Sequence, residues 1–522
     1  MINTHQRYRM SLLKLLQPFT DIDEQFNAAE MDESGIRRLS QVSNEVQAHD
    51  VFFAIQGHQT HGLRYAREAI DRQATAVVYD PDSSTNTLVP DELLRQYARR
   101  HSCWLIAVPR LIQQLGFIAA HFYDQPSQSI KVFGVTGTDG KTSVTQLLTQ
   151  ALSTATTHQP AESTASFGTL GRGLWQALTS ATHTTDNAIA LQHHLRTMVD
   201  AGAVNLVMEV SSHALHQYRV NGIEFDHAIF TNLSHDHLDY HGSLDAYAEA
   251  KARLFASPDL KTVIVNADDA RHQQMLAQVK PQTTVYRYAV QAQEPLAGSI
   301  QVTARQVVLD TQGVKFELVI QAETDTQQAS VQSALYGQFN IENLLAVASA
   351  LHAHGLPLSA IQARLNQAKP VLGRLQHVDN NVFVDYAHTP NALKAALTAL
   401  RDHGFQTITV VFGCGGDRDK DKRPMMGQVA EAQADQVILT SDNPRNEDPQ
   451  QIIADIQAGM QQQVQVIVDR YAAIQAGIQT LEPQQALLIA GKGHERTQTI
   501  RNHILPFYDI EIVQRILQGT RS

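Results

Sequence analysis

The chain of 522 residues is longer than one ordinary hydrophobic core supports, so two to four domains are expected. With 43% hydrophobic and 18% charged residues it has the composition of a globular protein, not of a disordered one. A formal net charge of -11 argues against a nucleic-acid binder, which needs a basic face, so any polyanionic ligand must be held by local cations.

The opening stretch, MINTHQRYRMSLLKLLQPFTD, carries a short amphipathic run without the long apolar core or small-residue cleavage site of a signal peptide. No window approaches the roughly 20 apolar residues that span a bilayer. Two cysteines, Cys103 and Cys414, exclude a disulfide scaffold and fit a reducing compartment, so the cytoplasm is the expected location. Strand-like runs at Val51 to Ile55, Ala74 to Asp80 and Cys103 to Val108 alternate with a helical pattern around Leu63 to Ile70. The polar YDQPSQS at 123–129 reads as a linker.

A second block starts at Ile130. IKVFGVTGTDGKTSVTQLLTQAL places Gly134, Gly137 and Gly140 between a strand and a helix whose Val144, Leu147, Leu148 and Leu152 keep helical spacing. Such glycines let backbone N–H groups wrap a phosphate at a helix N-terminus, Lys141 adds a point charge, and the Thr142 hydroxyl can reach a magnesium ion. The general phosphate-loop pattern is met imperfectly, because Val135 stands where its first glycine belongs. The alternative is a tight turn with an exposed lysine.

Residues 151–182, rich in Ser, Thr, Ala and Gln, show no clear period. VMEV then reads as a short strand carrying Glu209, a usual place for a magnesium ligand beside a phosphate loop, although a structural carboxylate is as good a reading. His235, His237 and His241 could suggest zinc, but they lie among carboxylates without a thiolate, which favours magnesium. In the helix that follows, Lys251 falls on the apolar stripe of Leu244, Tyr247, Ala248, Leu254 and Phe255, an expensive position for a charge unless the lysine snorkels. Residues 299–323 read as strands joined by turns.

Pro370 and Gly373 punctuate the chain before a third α/β block. Its four apolar strands, VFVDYA, TITVVFG, QVILTS and ALLIAG, each run into a polar or glycine-rich turn: HTP, CGGDRD, DNPRNEDP and KGHE. In an open parallel sheet such turns share a ligand crevice at the carboxyl ends of the strands. That crevice would hold Arg445, for which the alternative is a surface ion pair with Glu447 or Asp448.

GVTGTDGKTS, MEVSSHAL, FTNLSHDHLDYHG, AEAKARLF, GQFNIENLLAV, GRLQ, VDYAHTPNAL, FGCGGDRDKDKRP, SDNPRNEDP and AGKGHE stand in the order seen in Mur ligases. The chain resembles that family over about residues 40 to 515, and more narrowly the members that join meso-diaminopimelate to UDP-N-acetylmuramoyl-L-alanyl-D-glutamate. The resemblance implies an α/β protein of three domains: a uridine-nucleotide-binding α/β domain at 1–127, a central P-loop ATPase domain at 128–370, and a C-terminal Rossmann-like domain at 371–522 that binds the incoming amino acid. It also implies a monomer that uses ATP with magnesium for peptidoglycan precursor synthesis. ATP would phosphorylate the D-glutamate side chain to an acyl phosphate, which the incoming amine attacks.

Carried over by matching motifs, Gly137, Thr138, Asp139, Gly140, Lys141, Thr142, Ser143, Asn343 and Arg374 resemble ATP-binding positions, with Asp385 and His388 in the segment that closes on the nucleotide. Thr142, Glu209, His237 and Lys251 resemble the metal set, Lys251 as N6-carboxylysine, a carbamate that turns a cation into an anion. Lys141, Glu209, His237 and Lys251 are the implied catalytic residues. Ser43, His58, Gln59 and Thr60 match uridine-nucleotide positions; Thr184, Thr185, Ser211, Gln217 and Arg219 match muramoyl-dipeptide positions. Arg418, Asp442, Asn443, Pro444, Arg445, Gly491 and Glu495 match the diaminopimelate site.

The chain departs from the family at Val42 and Asn44, where an Asp and an Arg usually flank the serine, and at His183 and Asp139, each usually Asn. None of these removes a metal ligand or Lys141. Three other readings stand beside the first: a lysine-adding ligase of the same family, a distant folylpolyglutamate synthetase, and a degenerate ligase-like nucleotide sensor. Retention of the whole metal-centred set favours catalysis over the sensor.

Overall fold

The computed structural model describes residues 9–22, 28–57, 60–81, 89–157, 159–291 and 297–520. The chain forms two compact units, one of residues up to Thr145 with Glu162–Val263 and Arg271–Thr284, the other of Gln146–Ala161, Ile264–Ala270 and Val285 onward. No helix among the described residues is long and apolar enough to cross a membrane.

In the first unit, β1 (Arg38–Ser40), β2 (Asp50–Ala54), β3 (Ala76–Tyr79) and β4 (Trp104–Ala107) form a parallel sheet in sequence order. DVFFA and AVVY are buried along their whole length, as strands covered on both faces must be. The helical pattern around Leu63 to Ile70 is a 3-10 turn, Gly62–Tyr65, followed by the α-helix Ala66–Asp71. The YDQPSQS stretch is not a loose linker. Pro126 and Ser127 are buried, the Ser127 hydroxyl accepts the Glu224 N–H at 3.2 Å, and Gln128 donates to the Glu224 carboxylate at 2.8 Å.

A second sheet of this unit has the order β9-β5-β8-β6-β7, from β5 (Lys131–Thr136), β6 (Thr164–Gly168), β7 (Gly171–Leu174), β8 (Asn205–Glu209) and β9 (His227–Phe230). β5, β6, β8 and β9 are parallel, and β7 returns antiparallel on β6. The carboxyl ends of β5 and β8 therefore meet, bringing the turn at 137–140 beside Glu209.

β10 (Thr262–Asn266) carries the chain across the unit boundary. In the second unit, β11 (Thr284–Ala289) runs parallel to β12 (Ser299–Asp310), and β12, β13 (Gly313–Gln321) and β14 (Thr326–Ser333) form an antiparallel meander. The last sheet is built from β15 (Gln376–Asp379), β16 (Val382–Asp385), β17 (Thr407–Phe412), β18 (Gln436–Leu439), β19 (Gln465–Val466) and β20 (Gln485–Ala490), in the order β15-β16-β20-β17-β18-β19. Alternate residues feed two cores. Phe383, Val410, Phe412, Leu439 and Leu488 pack with the helices Pro390–Asp402, Lys422–Gln433 and Pro449–Gln457. Val384, Val411, Ile438, Leu487 and Ile489 pack with Arg470–Gln479 and Asp509–Thr520. Because β16, β20, β17 and β18 are all parallel, their four polar turns lie along one edge of the sheet. The hairpin β21 (Thr497–Ile500) and β22 (His503–Pro506) follows.

Candidate active site

The glycine-rich turn of the first unit is braced from β9. Thr231 donates its hydroxyl to the Asp139 carbonyl at 2.6 Å, the Asn232 side chain accepts the Asp139 N–H at 2.8 Å, and the Asn232 carbonyl accepts the Thr138 N–H at 2.8 Å. Gly137 has φ +151, and a Cβ there would stand 1.9 Å from the Thr231 hydroxyl, so no other residue fits that crossing. Helix Lys141–Leu152 follows at once, with Val144, Leu147, Leu148 and Leu152 buried. The Lys141 ammonium folds back onto the Gly137 and Thr138 carbonyls at 2.8 and 2.7 Å. Ser143 is buried in the same helix turn.

Glu209, at the end of β8, is 1% exposed. Its carboxylate accepts the Thr142 hydroxyl at 3.0 Å, the Thr169 N–H at 2.7 Å and the Thr169 hydroxyl at 3.2 Å. A hydroxyl and a carboxylate so juxtaposed are oxygen donors of the kind a magnesium ion takes together with phosphate and water oxygens, so the donor chemistry fits that metal.

Lys251 lies on the buried side of the helix Leu244–Ala252, 1% exposed among Tyr247, Ala248, Leu254 and Phe255. It does not snorkel. Its Nζ donates to the Gly137 carbonyl at 2.6 Å and sits 4.4 Å over the Tyr247 ring. Burial and then the nearby Lys141 ammonium drive its pKa well below the usual lysine value, while Asp236 and Asp139 oppose that shift.

The histidines pack as rings. His237, in the left-handed region at φ +53, lies edge-on to His213 at 4.9 Å between centroids, and His213 packs on Tyr240 at 4.1 Å with the rings tilted by 35°. His241 shares a hydrogen bond with Ser212 at 3.0 Å, and burial followed by the neighbouring His213 lowers its pKa to about 4. Among the described residues no group of three or more His, Cys, Asp or Glu side chains is arranged around a common metal position. His213 and Tyr240 escaped the sequence reading, which had only the spacing of His235, His237 and His241 to work from.

Four of the matched muramoyl-dipeptide residues are brought together. The Thr185 hydroxyl donates to the Glu209 carbonyl at 2.9 Å and accepts the Ser211 N–H at 3.1 Å; its carbonyl accepts from Arg219 at 3.1 Å; and Arg219 grips Gln217 at 2.9 and 2.5 Å. Thr184 joins this group through Thr169 at 3.2 Å. Ser43 stands in the turn Ser43–Glu45 with its hydroxyl donating to Glu68 at 2.6 Å, beside the exposed Val42. The Thr60 hydroxyl is buried without a hydrogen-bond partner, and His58 and Gln59 lie outside the described residues.

In the second unit Asn343 is buried in the helix Gln338–Ala353 and donates to Asn340 at 3.0 Å. Arg374 lies 5.0 Å over the Tyr386 ring. Its turn is fastened by Asp385, whose carboxylate accepts the Leu375 and Ala387 N–H groups at 2.5 and 2.7 Å. His388 is exposed one residue before Thr389, which caps the helix Pro390–Asp402.

At the edge of the last sheet, Asn443 donates to Glu495 at 2.8 Å, and its carbonyl oxygen accepts the Thr499 N–H at 2.9 Å. Lys492 is 0% exposed and donates to Asn443, Glu495 and the Thr497 carbonyl at 3.2, 3.1 and 2.7 Å. Sequence reasoning passed it over because a lysine in a glycine-rich turn shows neither its burial nor its distant partner Asn443. The Asp442 Oδ2 is buried without a hydrogen-bond partner beside Gly491, and burial raises its pKa. Arg445 has φ +50, a backbone conformation that costs a non-glycine residue roughly 1 kcal/mol or more. It is held there by bonds to Thr499 and Arg501 at 3.0 and 2.6 Å. Its guanidinium donates to the Gly416 carbonyl at 2.7 Å, and a Cβ added at Gly415 would lie 2.9 Å from its Nη1 and 3.7 Å from Arg418 Cγ, so the Arg445 guanidinium and the Arg418 side-chain stem both approach that glycine. The alternative surface pair is not formed: Glu447 is bound to Arg423 at 2.9 Å, and Asp448 caps the helix Pro449–Gln457. Cys414 is a buried, packed residue 3.6 Å from the Met426 sulfur.

The first unit is thus an α/β protein with a glycine-rich turn between a parallel strand and a helix N-terminus, and the second carries a doubly wound sheet whose polar turns line one edge. Residues 36–123 match the model described as Mur ligase family, catalytic domain; residues 135–351 match Mur ligase middle domain; and residues 373–493 match Mur ligase, glutamate ligase domain. The chain belongs to the Mur ligase family. It is 42% identical to the UDP-N-acetylmuramoyl-L-alanyl-D-glutamate--2,6-diaminopimelate ligase of Alkalilimnicola ehrlichii over 97% of this chain and 99% of the relative. To the same-named protein of Coxiella burnetii it is 43% identical, over 92% and 96%. A solved structure of a ligase of that name superposes with a TM-score of 0.70 at 31% identity, covering 98% of this chain and 100% of the other.

Proposed function

We propose that the chain is an ATP-dependent ligase that forms an amide between the D-glutamate of UDP-N-acetylmuramoyl-L-alanyl-D-glutamate and meso-diaminopimelate, in the cytoplasmic synthesis of peptidoglycan precursors. The names shared by full-length relatives support the reaction. The observation that carries the choice of amino acid is Arg445, set beside Arg418 while Glu447 and Asp448 are engaged elsewhere. Diaminopimelate differs from lysine by a second carboxylate, and a guanidinium grips a carboxylate with two parallel hydrogen bonds. Asp442, Asn443, Pro444, Gly491 and Glu495 would hold the rest of the amino acid.

The work divides among residues 1–127 for the uridine nucleotide, 128–370 for ATP and 371–522 for the amino acid. Gly137 to Ser143 would receive the ATP phosphates, the backbone N–H groups of Thr138 and Asp139 bracing the loop on Asn232 and those from Gly140 onward meeting the ligand, with Lys141 released from its own loop to join them. Asn343 and Arg374 would hold the rest of the nucleotide. Ser43, His58, Gln59 and Thr60 would take the uridine nucleotide, and Thr184, Thr185, Ser211, Gln217 and Arg219 the muramoyl dipeptide. Arg219 supplies the local cation that an acidic protein needs for this anionic substrate.

Thr142, Glu209, His237 and Lys251 would hold magnesium. When bound, the metal neutralises charge on the transferring phosphoryl group. A lysine with a depressed pKa offers a neutral amine, which adds to carbon dioxide and releases a proton. The resulting N6-carboxylysine is an anion that attracts Lys141, where the ammonium would repel it. The D-glutamate carboxylate would attack the terminal phosphate of ATP, with ADP leaving, to give an acyl phosphate; the amine of diaminopimelate then attacks the acyl carbon, phosphate leaves and the nitrogen gives up a proton as the amide forms.

Phosphate release measured with ATP and the muramoyl dipeptide, with each amine in turn, tests the reading. Turnover is expected with diaminopimelate and little with lysine. Release that needs no muramoyl dipeptide would point to another ligase, and none with any amine to a nucleotide sensor. The exposed Asp139 carboxylate, where the family resemblance leads one to expect Asn, lies beside the proposed phosphate site. Asp139→Asn is therefore expected to tighten ATP binding by about 3- to 10-fold in a calorimetric titration; equal affinity would remove Asp139 from the account.

A further inference from the structure

Arg423 is a charged side chain fully buried beneath the polar turns, 0% exposed. Its two terminal nitrogens fork onto the Glu447 carboxylate at 2.9 Å each, and the same nitrogens reach Asp455 at 2.8 Å and the Gly415 carbonyl at 3.2 Å. Glu447 lies two residues after Arg445 in the same turn, and it also accepts the Asp417 N–H at 2.6 Å from the turn that carries Arg418. Between these points a backbone bond joins the two turns, the Gly416 N–H donating to the Asn443 carbonyl at 2.9 Å, while the Glu447 N–H closes its own turn onto the Pro444 carbonyl at 3.0 Å. The approach is so close that a Cβ at Gly416 would stand 1.9 Å from the Pro444 carbonyl oxygen.

A buried ion pair is a weak source of net stability, since desolvation offsets most of its attraction, and apolar residues of similar volume serve at least as well. What a forked pair does supply, even with the Arg423 Nε left without a partner, is register. Here it fixes one turn against the other at the place where Arg445 leans on Gly416.

We propose that Glu447 is a positioning residue for amino-acid selection: through Arg423 it clamps the SDNPRNEDP turn to the CGGDRD turn and so sets where Arg445 presents its guanidinium. The proposal rests on the reading of Arg445 as the residue that receives the second carboxylate of diaminopimelate. A bidentate grip is sensitive to displacements of about 1 Å, so a loosened clamp weakens recognition while leaving ATP chemistry in place. Arg423, followed by the Asp417 amide, holds the Glu447 carboxyl down to about 2 from an ordinary value of 4.5. The clamp is therefore ionised at every pH at which an amine is a useful nucleophile, and the KM for diaminopimelate shows no inflection from it between pH 6 and 9.

The test compares Glu447→Gln with Asp455→Asn in the full chain. Glu447→Gln is expected to raise the KM for diaminopimelate about tenfold and to lower the preference over lysine, with kcat and the KM for ATP within about twofold. Asp455→Asn removes the partner of Arg423 that lies outside both turns, so it is expected to lower Tm and leave the preference unchanged. An unchanged preference in Glu447→Gln, or equal shifts in both variants, overturns the proposal. If Glu447→Gln does not fold, Glu447→Asp takes its place: an intermediate preference supports the clamp and a wild-type one overturns it. A wild-type enzyme without preference for diaminopimelate sinks the parent reading instead.

Discussion

Arg445→Ala is expected to raise the KM for meso-diaminopimelate by about 100-fold or more, with the KM for ATP within about twofold. The loss follows from the chemistry of the missing partner: a second carboxylate buried in the crevice without a matched donor keeps its full desolvation penalty. Arg445→Lys should recover only a small part, because an ammonium restores charge and not the planar fork. The preference over lysine is the sharper readout, since lysine has no second carboxylate to lose; its own weak turnover should change little. Steady-state kinetics with both amines checks this, and parallel losses for ATP and diaminopimelate would return Arg445 to a structural role.

The second large effect concerns Lys251. Replacement by alanine is expected to lower kcat by about 10² to 10³, the scale on which removal of one charge-stabilising group acts at a transferring centre. The wild-type enzyme should lose activity in buffer stripped of carbon dioxide and regain it with bicarbonate, whereas Lys251→Ala should not respond. The sign with pH follows from the depressed lysine pKa: above it the amine is neutral and takes up carbon dioxide, and as pH falls through it the ammonium returns and the requirement for bicarbonate rises. Indifference of the wild-type enzyme to carbon dioxide would remove the carbamate from the account.

What the sequence revealed depended on how local each signal was. The glycine-rich turn was legible because its strand, glycines and helix are contiguous, although its bracing by Thr231 and Asn232 comes from another strand. Lys251 was legible as an anomaly, because helical spacing alone put a cation on an apolar stripe. The strand Thr164–Gly168 was not, since TASFG in the fully buried position of a parallel sheet shows neither alternation nor a β-branched run. YDQPSQS lies between two matched domains, as its composition suggested, and what the sequence did not display is that Ser127 and Gln128 are tied to Glu224, about a hundred residues on.

In the crevice, the motif carrying Arg445 was legible and its support was not. Arg423 and Lys492 drew no reading from the sequence, and only the fold shows one forked onto Glu447 and the other joining Asn443 to Glu495. Glu447 itself was weighed as a partner for Arg445 because the two are neighbours in sequence. Long-range pairing decides such cases, and a single sequence does not display it.

The central claim is that this chain selects meso-diaminopimelate for addition to the muramoyl dipeptide, and a direct competition tests it. Wild-type enzyme is given ATP, magnesium, UDP-N-acetylmuramoyl-L-alanyl-D-glutamate and equal amounts of diaminopimelate and lysine, and the product is weighed by mass spectrometry. The account predicts a UDP-linked tripeptide carrying diaminopimelate, with the lysine adduct at or below about 1% of product. A product mixture that follows the supply of the two amines, or one dominated by lysine, would contradict it.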